Sequence, residues 1–505
     1  MPDKEELKKT IESAYAFKGK SIVLGTAMYN KEAVPDALIR IPLNVVNRHG
    51  LIAGATGTGK TKTIQQFAES LSENGIPVLL MDIKGDLSGI SKPGTENPKI
   101  TDRHKLIGTE WKPMQFPCEL MSISEEKGMR LRATVSEFGP VLFSKILELN
   151  ENQQGAVAII FKYCDDKKLP LLDIKDFRQA LQFITNEGKS EIEMYGSVSS
   201  SSAGVIMRKL LELEQQGADR FFGEKSFDVE DLVRHDKNGL GFINIIRLAD
   251  MQDKPKLFST FMLCLLAEIF QKFPELGDKA EPKLVIFIDE AHLIFREATK
   301  SLMDQLETVI KLIRSKGVGI FFCTQVPGDV PDAILSQLGS KFQHAMRAFT
   351  AKDRKEIKLV AENYPSTEFY DTDTLLTELG IGEALVTVLN EKGAPTALAH
   401  TLLCAPKSRM DVISPAEQDA IVSSSEIAAQ YNEVIDRESA YEMLNKKLTP
   451  AISEKGEPAP SEEKTEKGSS VSETIAAVSK NPIVRDLARG IFGMFFGGTS
   501  TRRKR

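Results

Sequence analysis

Cysteine is scarce in this chain and widely scattered. Five occur in 505 residues, at Cys118, Cys164, Cys264, Cys323 and Cys404. None forms a C-x-x-C pair and none stands among clustered histidines, which argues against a zinc site or a disulfide framework. They read as buried apolar thiols in a reducing compartment. Long apolar runs are missing too. The longest, Phe258 to Phe270, is too short to cross a bilayer and contains Glu268. The opening residues, Met1 to Glu6, lack a signal-peptide pattern, so a cytoplasmic protein is the expectation. Basic charge is not in excess either. A net charge of −6 argues against a protein that coats nucleic acid, although a local basic groove or pore can sit inside that average. No internal repeat is evident, and the length suggests about two to four domains.

What is present is a phosphate-loop signature. Gly54-Ala55-Thr56-Gly57-Thr58-Gly59-Lys60-Thr61 fits G-x-x-x-x-G-K-[ST] at every fixed position. The apolar run Gly50-Leu51-Ile52-Ala53 before it reads as a buried strand. After it, Ile64, Phe67, Ala68 and Leu71 lie on one face of a helix. Strand, glycine-rich turn and helix are the context that separates a phosphate-binding loop from a flexible Gly/Thr turn. Main-chain N–H groups from Gly54 to Lys62 would converge on an anion beside the positive end of the helix. Lys60 would reach the β- and γ-phosphates, and the Thr61 hydroxyl would ligate Mg²⁺. The chain is therefore read as binding a nucleoside triphosphate, with ATP as the default.

A second strand, Ile76 to Asp82, is almost continuously apolar, as expected where helices cover both faces of a parallel sheet. It ends in the polar turn Asp82-Ile83-Lys84-Gly85-Asp86, at the carboxyl edge where open α/β sheets bind ligands. From about Ser88 to Gly239 the alternation of strand and helix stops, and a mainly helical insertion is expected. Its clearest stripes are Arg178 to Ile184 and Val205 to Leu213, with Ser197 to Ser202 as a helix-capping linker. The sheet resumes at Gly241 to Ile246. A helix from about Lys256 to Phe273 follows, then strands at Lys283 to Ile288, Gly319 to Thr324 and Phe342 to Phe349. A closing hairpin pairs Ala384–Leu389 with Thr396–Leu402. The expected division is 1–87 and 240–413 for the core, 88–239 for the insertion, 414–480 for a weakly structured linker, and 481–505 for an amphipathic helix and basic tail. Residues 450–470 carry the composition of a disordered segment.

The chemistry-bearing candidates follow from strand ends. Asp289 and Glu290 tip an apolar strand; Asp289 would hold the Mg²⁺ shell and Glu290 would position the attacking water. The plainer alternative is a solvated acidic turn. Gln325 ends the following strand, where its amide would orient water or sense hydrolysis; otherwise it is a polar residue before Pro327. Two arginines could oppose transition-state charge. Arg314 lies at a helix C-terminus, where it could equally complement the helix dipole. Arg347 lies among apolar neighbours, where it could equally lie along an edge strand.

Taken together, Gly54–Thr61, Asp82-Ile83-Lys84-Gly85, Ile286 to His292, Ile313-Arg314-Ser315-Lys316-Gly317 and Thr324-Gln325-Val326-Pro327 resemble the HerA/FtsK superfamily of P-loop motor ATPases. The nearest likeness is to its YjgR-like, HerA-like helicase-domain bacterial branch, over approximately residues 20–410. The resemblance implies an α/β fold: a RecA-like core with a mostly parallel sheet, a helical insertion and a partly disordered C-terminal tail. It also implies assembly as a homo-hexameric ring with sites between subunits, and makes DNA a candidate partner. By motif position Arg314 resembles the trans-acting arginine finger, Gln325 the polar sensor and Arg347 a second sensor arginine. The segment before the phosphate loop is too short for the β-barrel domain of HerA, and neither the membrane helices nor the winged helix of FtsK is evident. A nucleotide-dependent scaffold or switch without a nucleic-acid substrate is the alternative, and a metabolic kinase a weaker one. The helical face Ile483, Leu487, Ile491 and Phe495 with Arg502 to Arg505 adds a speculative membrane or protein contact, against the plainer reading of an internal docking helix.

Overall fold

A computed structural model describes residues 3–277, 281–296, 300–433, 435 and 437–454. The amphipathic tail reading falls outside them, as does most of the expected 450–470 linker. Among the described residues no helix is long and apolar enough to cross a membrane.

The framework is one twelve-stranded sheet. In chain order its strands are β1 (Ser21–Tyr29), β2 (Glu32–Pro42), β3 (Gly50–Ala53), β4 (Val78–Asp82), β5 (Cys118–Ser122) and β6 (Met129–Arg130), then β7 (Ile243–Arg247), β8 (Leu284–Ile288), β9 (Val318–Thr324), β10 (Ser340–Gln343), β11 (Glu383–Thr387) and β12 (Ala399–Leu403). Across the sheet they run β2-β1-β12-β11-β10-β3-β9-β8-β4-β7-β5-β6. From β10 to β6 every pairing is parallel, and from β11 to β2 every pairing is antiparallel. The closing hairpin is thus present as β11 and β12, which continue into β1 and β2.

The central strands are apolar throughout because both faces are covered. In β8, Leu284, Ile286 and Ile288 point into one layer while Val285 and Phe287 point into the other. The helix Lys60–Glu73 covers the second layer through Ile64, Phe67, Ala68 and Leu71. Phe67 meets Phe287 and Phe321 edge-on, at centroid distances of 5.5 and 5.1 Å. The helix Pro255–Lys272 covers the first layer with Leu257, Phe258, Phe261 and Leu265. Between β6 and β7, the helices Val135–Ile146, Glu151–Asp166, Ile174–Thr185 and Ser200–Gln215 form the helical part of the chain. Three of these begin at capping boxes, on Thr134, Asn150 and Asp173, and Ser199 caps the fourth by accepting from the Ser202 N–H at 3.1 Å.

Three local expectations need correcting. The stretch after residue 88 is not free of sheet: β5 and β6 extend the parallel array beyond β7. The strand expected over Phe342–Phe349 stops at Gln343, because its partner β3 ends at Ala53 and turns into the phosphate loop. Beyond that point Met346 N–H donates to Leu376 O at 2.8 Å instead. The chain after 414 is also more ordered than its composition suggests. Helices Pro415–Ser424, Ala428–Asn432 and Ala440–Glu454 fold back, with Tyr431 and Leu444 buried. Tyr431 OH donates to Asp231 at 2.6 Å, and Tyr441 N–H to Asp176 at 2.9 Å.

Candidate nucleotide site

The loop 54–59 leaves the carboxyl end of β3 and enters the helix Lys60–Glu73. Its curl needs two glycines in particular. Gly54 has φ +149°, and a Cβ there would lie 2.5 Å from the His344 Cβ. Gly59 has φ +111°, with a would-be Cβ 3.1 Å from the Gly382 nitrogen. The loop is therefore pressed on one side by backbone, and only residues without side chains fit. Its main chain is tied outward: Gly54 N–H to Thr324 O at 3.2 Å, Ala55 N–H to Ala345 O at 2.8 Å, and Gly382 N–H to Thr58 O at 3.1 Å. Lys60 is buried, and its ammonium donates to Gly54 O at 2.5 Å and Ala55 O at 3.2 Å. Burial lowers its pKa, a shift that Cys323, Glu290 and Asp289 oppose and Lys84 reinforces.

The acid pair lies one strand further across. With β9 between β3 and β8, the phosphate-loop strand and the acid strand are ~10 Å apart. Asp289 and Glu290 are both buried, and Glu290 takes a left-handed backbone, φ +46°. That conformation is uncommon for a side chain of its size and clusters at functional sites. Lys84, from the turn after β4, is the pair's counter-charge: its Nζ is 2.5 Å from Glu290 Oε1 and 3.9 Å from Asp289 Oδ2. The turn itself is wound around Asp82, whose carboxylate accepts from the N–H groups of Gly85, Asp86 and Leu87 at 2.8, 3.2 and 3.1 Å. Burial raises the pKa of Asp289, with Lys84 opposing and Glu290 adding. For Glu290 burial pushes upward, but the Lys84 hydrogen bond and charge win and hold it below the usual range. Asp289 Oδ2 and Glu290 Oε2 are buried and accept no hydrogen bond. Two unsatisfied carboxylate oxygens beside a lysine-bearing phosphate loop are what a cation-binding edge requires.

The remaining candidates separate in space. Gln325 follows β9 at the same carboxyl edge, exposed, beside the loop through the contact of Gly54 N–H with its carbonyl at 3.2 Å. Arg347 is exposed on the loop after β10, two residues past the Ala345 that meets Ala55. Arg314 lies at the other end: it precedes β9, so the length of that strand, ~20 Å, separates it from Gln325. There it neighbours His49, which accepts from Ile320 N–H at 3.0 Å and sits 2.9 Å from Ile310 O. Burial, reinforced by the Arg314 charge, brings His49 down to about 4. The chain does not bring Arg314 to its own phosphate loop.

Two partners of the site had no assigned role in the sequence reading. Lys84 was visible only as part of a polar turn at the right edge of the sheet. His344 is wholly buried, with Nε2 3.0 Å from Thr63 Oγ1, and gave no sequence signal because the contact spans 281 positions. Among the described residues, no group of three or more His, Cys, Asp or Glu could hold a metal unaided.

Strand order, loop and acid pair together define a P-loop ATPase fold of the HerA/FtsK kind. Comparison with known proteins narrows this. The chain belongs to the Helicase HerA-like C-terminal family, whose model matches residues 28–491. It is 22% identical over 368 residues to the DNA double-strand break repair helicase HerA of Sulfolobus acidocaldarius, covering 69% of this chain and 64% of that protein. It therefore spans less than two thirds of that relative. The DNA import protein CedB of the same organism is 23% identical over 356 residues, covering 69% of this chain and 51% of CedB. Among solved structures, the plasmid coupling protein TrwB in complex with the ATP analogue ADPNP superposes with a TM-score of 0.53 at 15% identity. That match covers 80% of this chain and 95% of TrwB. The unbound form of TrwB gives 0.52 at 14% identity, covering 82% and 95%. At these identities the likeness establishes the fold.

Proposed function

We propose that this chain is an ATP-hydrolysing motor of the HerA/FtsK kind, active as a ring and acting on DNA. The observation that carries the reading is the convergence of Lys60, Lys84, Asp289 and Glu290 on one sheet edge, with two buried carboxylate oxygens unsatisfied. Lys60 now satisfies two loop carbonyls; a triphosphate would take over that ammonium, with the loop amides from Gly54 to Lys62 around it. Thr61 and Asp289 would hold Mg²⁺, which neutralises charge on the phosphate oxygens. Glu290, kept ionised by Lys84, would orient the attacking water, with Gln325 beside it and Arg347 as a second arginine at the same edge. Arg314, at the far end of β9, would serve a neighbouring subunit's site, and this supports a ring of like subunits, taken as six from the family resemblance.

The DNA part rests on relatives: one is named a repair helicase, another a DNA import protein. Nucleotide and Mg²⁺ gain support from TrwB, whose structures include complexes with ADPNP and with ADP and Mg²⁺. A cytoplasmic location is part of the reading, supported by five free thiols. The test is the ATP hydrolysis rate of the purified chain with and without single- and double-stranded DNA, alongside its mass with a non-hydrolysable analogue. Hydrolysis by a DNA-stimulated oligomer is expected. Hydrolysis that no DNA alters at low salt would remove the DNA part, and an absence of hydrolysis would remove the whole.

A further inference from the structure

The turn Gly380-Ile381-Gly382 carries an apolar side chain in solvent and is held rigidly in that position. Ile381 is 72% exposed, although it stands directly before the buried strand β11. Every neighbouring polar group is engaged. Arg103 donates to Ile381 O at 3.2 Å, to Gly382 O at 3.1 Å and to Leu403 O at 3.0 Å. Gly380 N–H donates to the Glu383 carboxylate at 2.9 Å, and that carboxylate is held in turn by His400 at 2.9 Å. Leu403 N–H donates to Gly382 O at 3.0 Å. On its other side the turn is docked on the phosphate loop, through Gly382 N–H to Thr58 O at 3.1 Å. A branched apolar side chain braced in water beside a ligand loop is out of place unless something covers it.

The loop's own geometry says what that is. Asp289 and Glu290, which face the terminal phosphate in the reading above, lie on the β8 side of β3, whereas the turn lies on the β10–β11 side. A triphosphate whose γ end points to the acid pair directs its α end, and the nucleoside attached to it, toward β10 and β11. We propose that Ile381 is the apolar seat for the nucleoside of the bound triphosphate, with Arg103 as the positioning residue that fixes the turn. This assignment rests on the phosphate-loop reading. It predicts that Ile381 contributes to binding of a nucleotide and nothing to binding of phosphate alone.

The experiment is calorimetric titration of the full chain with MgATP and, separately, with magnesium tripolyphosphate. In Ile381→Ala the affinity for MgATP should fall about tenfold, and that for tripolyphosphate should not change. Because the side chain is exposed, the variant retains its core. An equal loss for both ligands would mean that the turn acts only through the loop, and no loss for either would mean that Ile381 touches neither; each result overturns the assignment. Lys60→Ala separates the underlying reading: it should weaken both ligands, and if it weakens neither, the phosphate-loop reading fails and the seat with it.

Discussion

Lys84 holds Glu290 across two adjacent strand ends, Nζ to Oε1 at 2.5 Å, and so keeps ionised a carboxylate that burial alone would push toward its neutral form. The relationship fixes the direction of a pH effect. With Lys84 present, Glu290 stays charged below the ordinary carboxylate range. Without it, only burial is left, and burial raises the pKa.

In Lys84→Met the acid limb of the hydrolysis-rate profile should therefore move to higher pH, with reduced rates on the acidic side that recover partly as pH rises. A pH–rate series on wild type and variant checks this. An acid limb that does not move would mean that Glu290 is not the titrating base.

Phe67 anchors the phosphate-loop helix to β8 and β9 and is fully buried against Phe287 and Phe321. Phe67→Ala should cost about 3–5 kcal/mol of stability, read from denaturant unfolding. Nucleotide binding should weaken as well, because the helix that carries Lys60 loses its main contact with the strands. A variant as stable as wild type would contradict the packing described.

Glu69, on the same helix, accepts from Lys407 N–H at 2.7 Å and Ser408 N–H at 3.1 Å, yet burial raises its pKa to about 7. The sign follows from proton linkage. A carboxyl that binds its proton more tightly when folded favours the folded state at low pH. That advantage is lost as pH rises from the model value of 4.5 through about 7. Glu69→Gln should flatten this part of the stability–pH curve by about 3 kcal/mol at most, measured by unfolding at several pH values across the window. Parallel curves would show that the carboxyl is not protonated in the folded chain.

The sequence was most readable where a local pattern carried the information. The phosphate loop, the apolar strands 284–288 and 318–324, and the helix 255–272 all announce themselves by periodicity and composition. Strand β5 did not, because Glu119 breaks its apolar run; the fold accommodates that charge by pairing it with Arg234 at 2.9 Å and Ser425 at 2.8 Å. The helices after 414 were equally hidden, since their partners Asp176 and Asp231 lie about two hundred positions or more away. The site divides in the same way. Lys60, Asp289 and Glu290 follow from strand ends, whereas the Lys84 clamp, the His344 contact and the Gly382 brace exist only once the sheet is assembled.

The position of Arg314 leads to the most direct test. If each site combines one subunit's Lys60 with another's Arg314, then Arg314→Ala and Lys60→Ala are both inactive alone, and Arg314→Ala keeps its nucleotide affinity. Mixing the two and measuring ATP hydrolysis should restore part of the wild-type rate, because some interfaces then hold an intact lysine and an intact arginine. A mixture as inactive as its components would contradict a shared site between subunits.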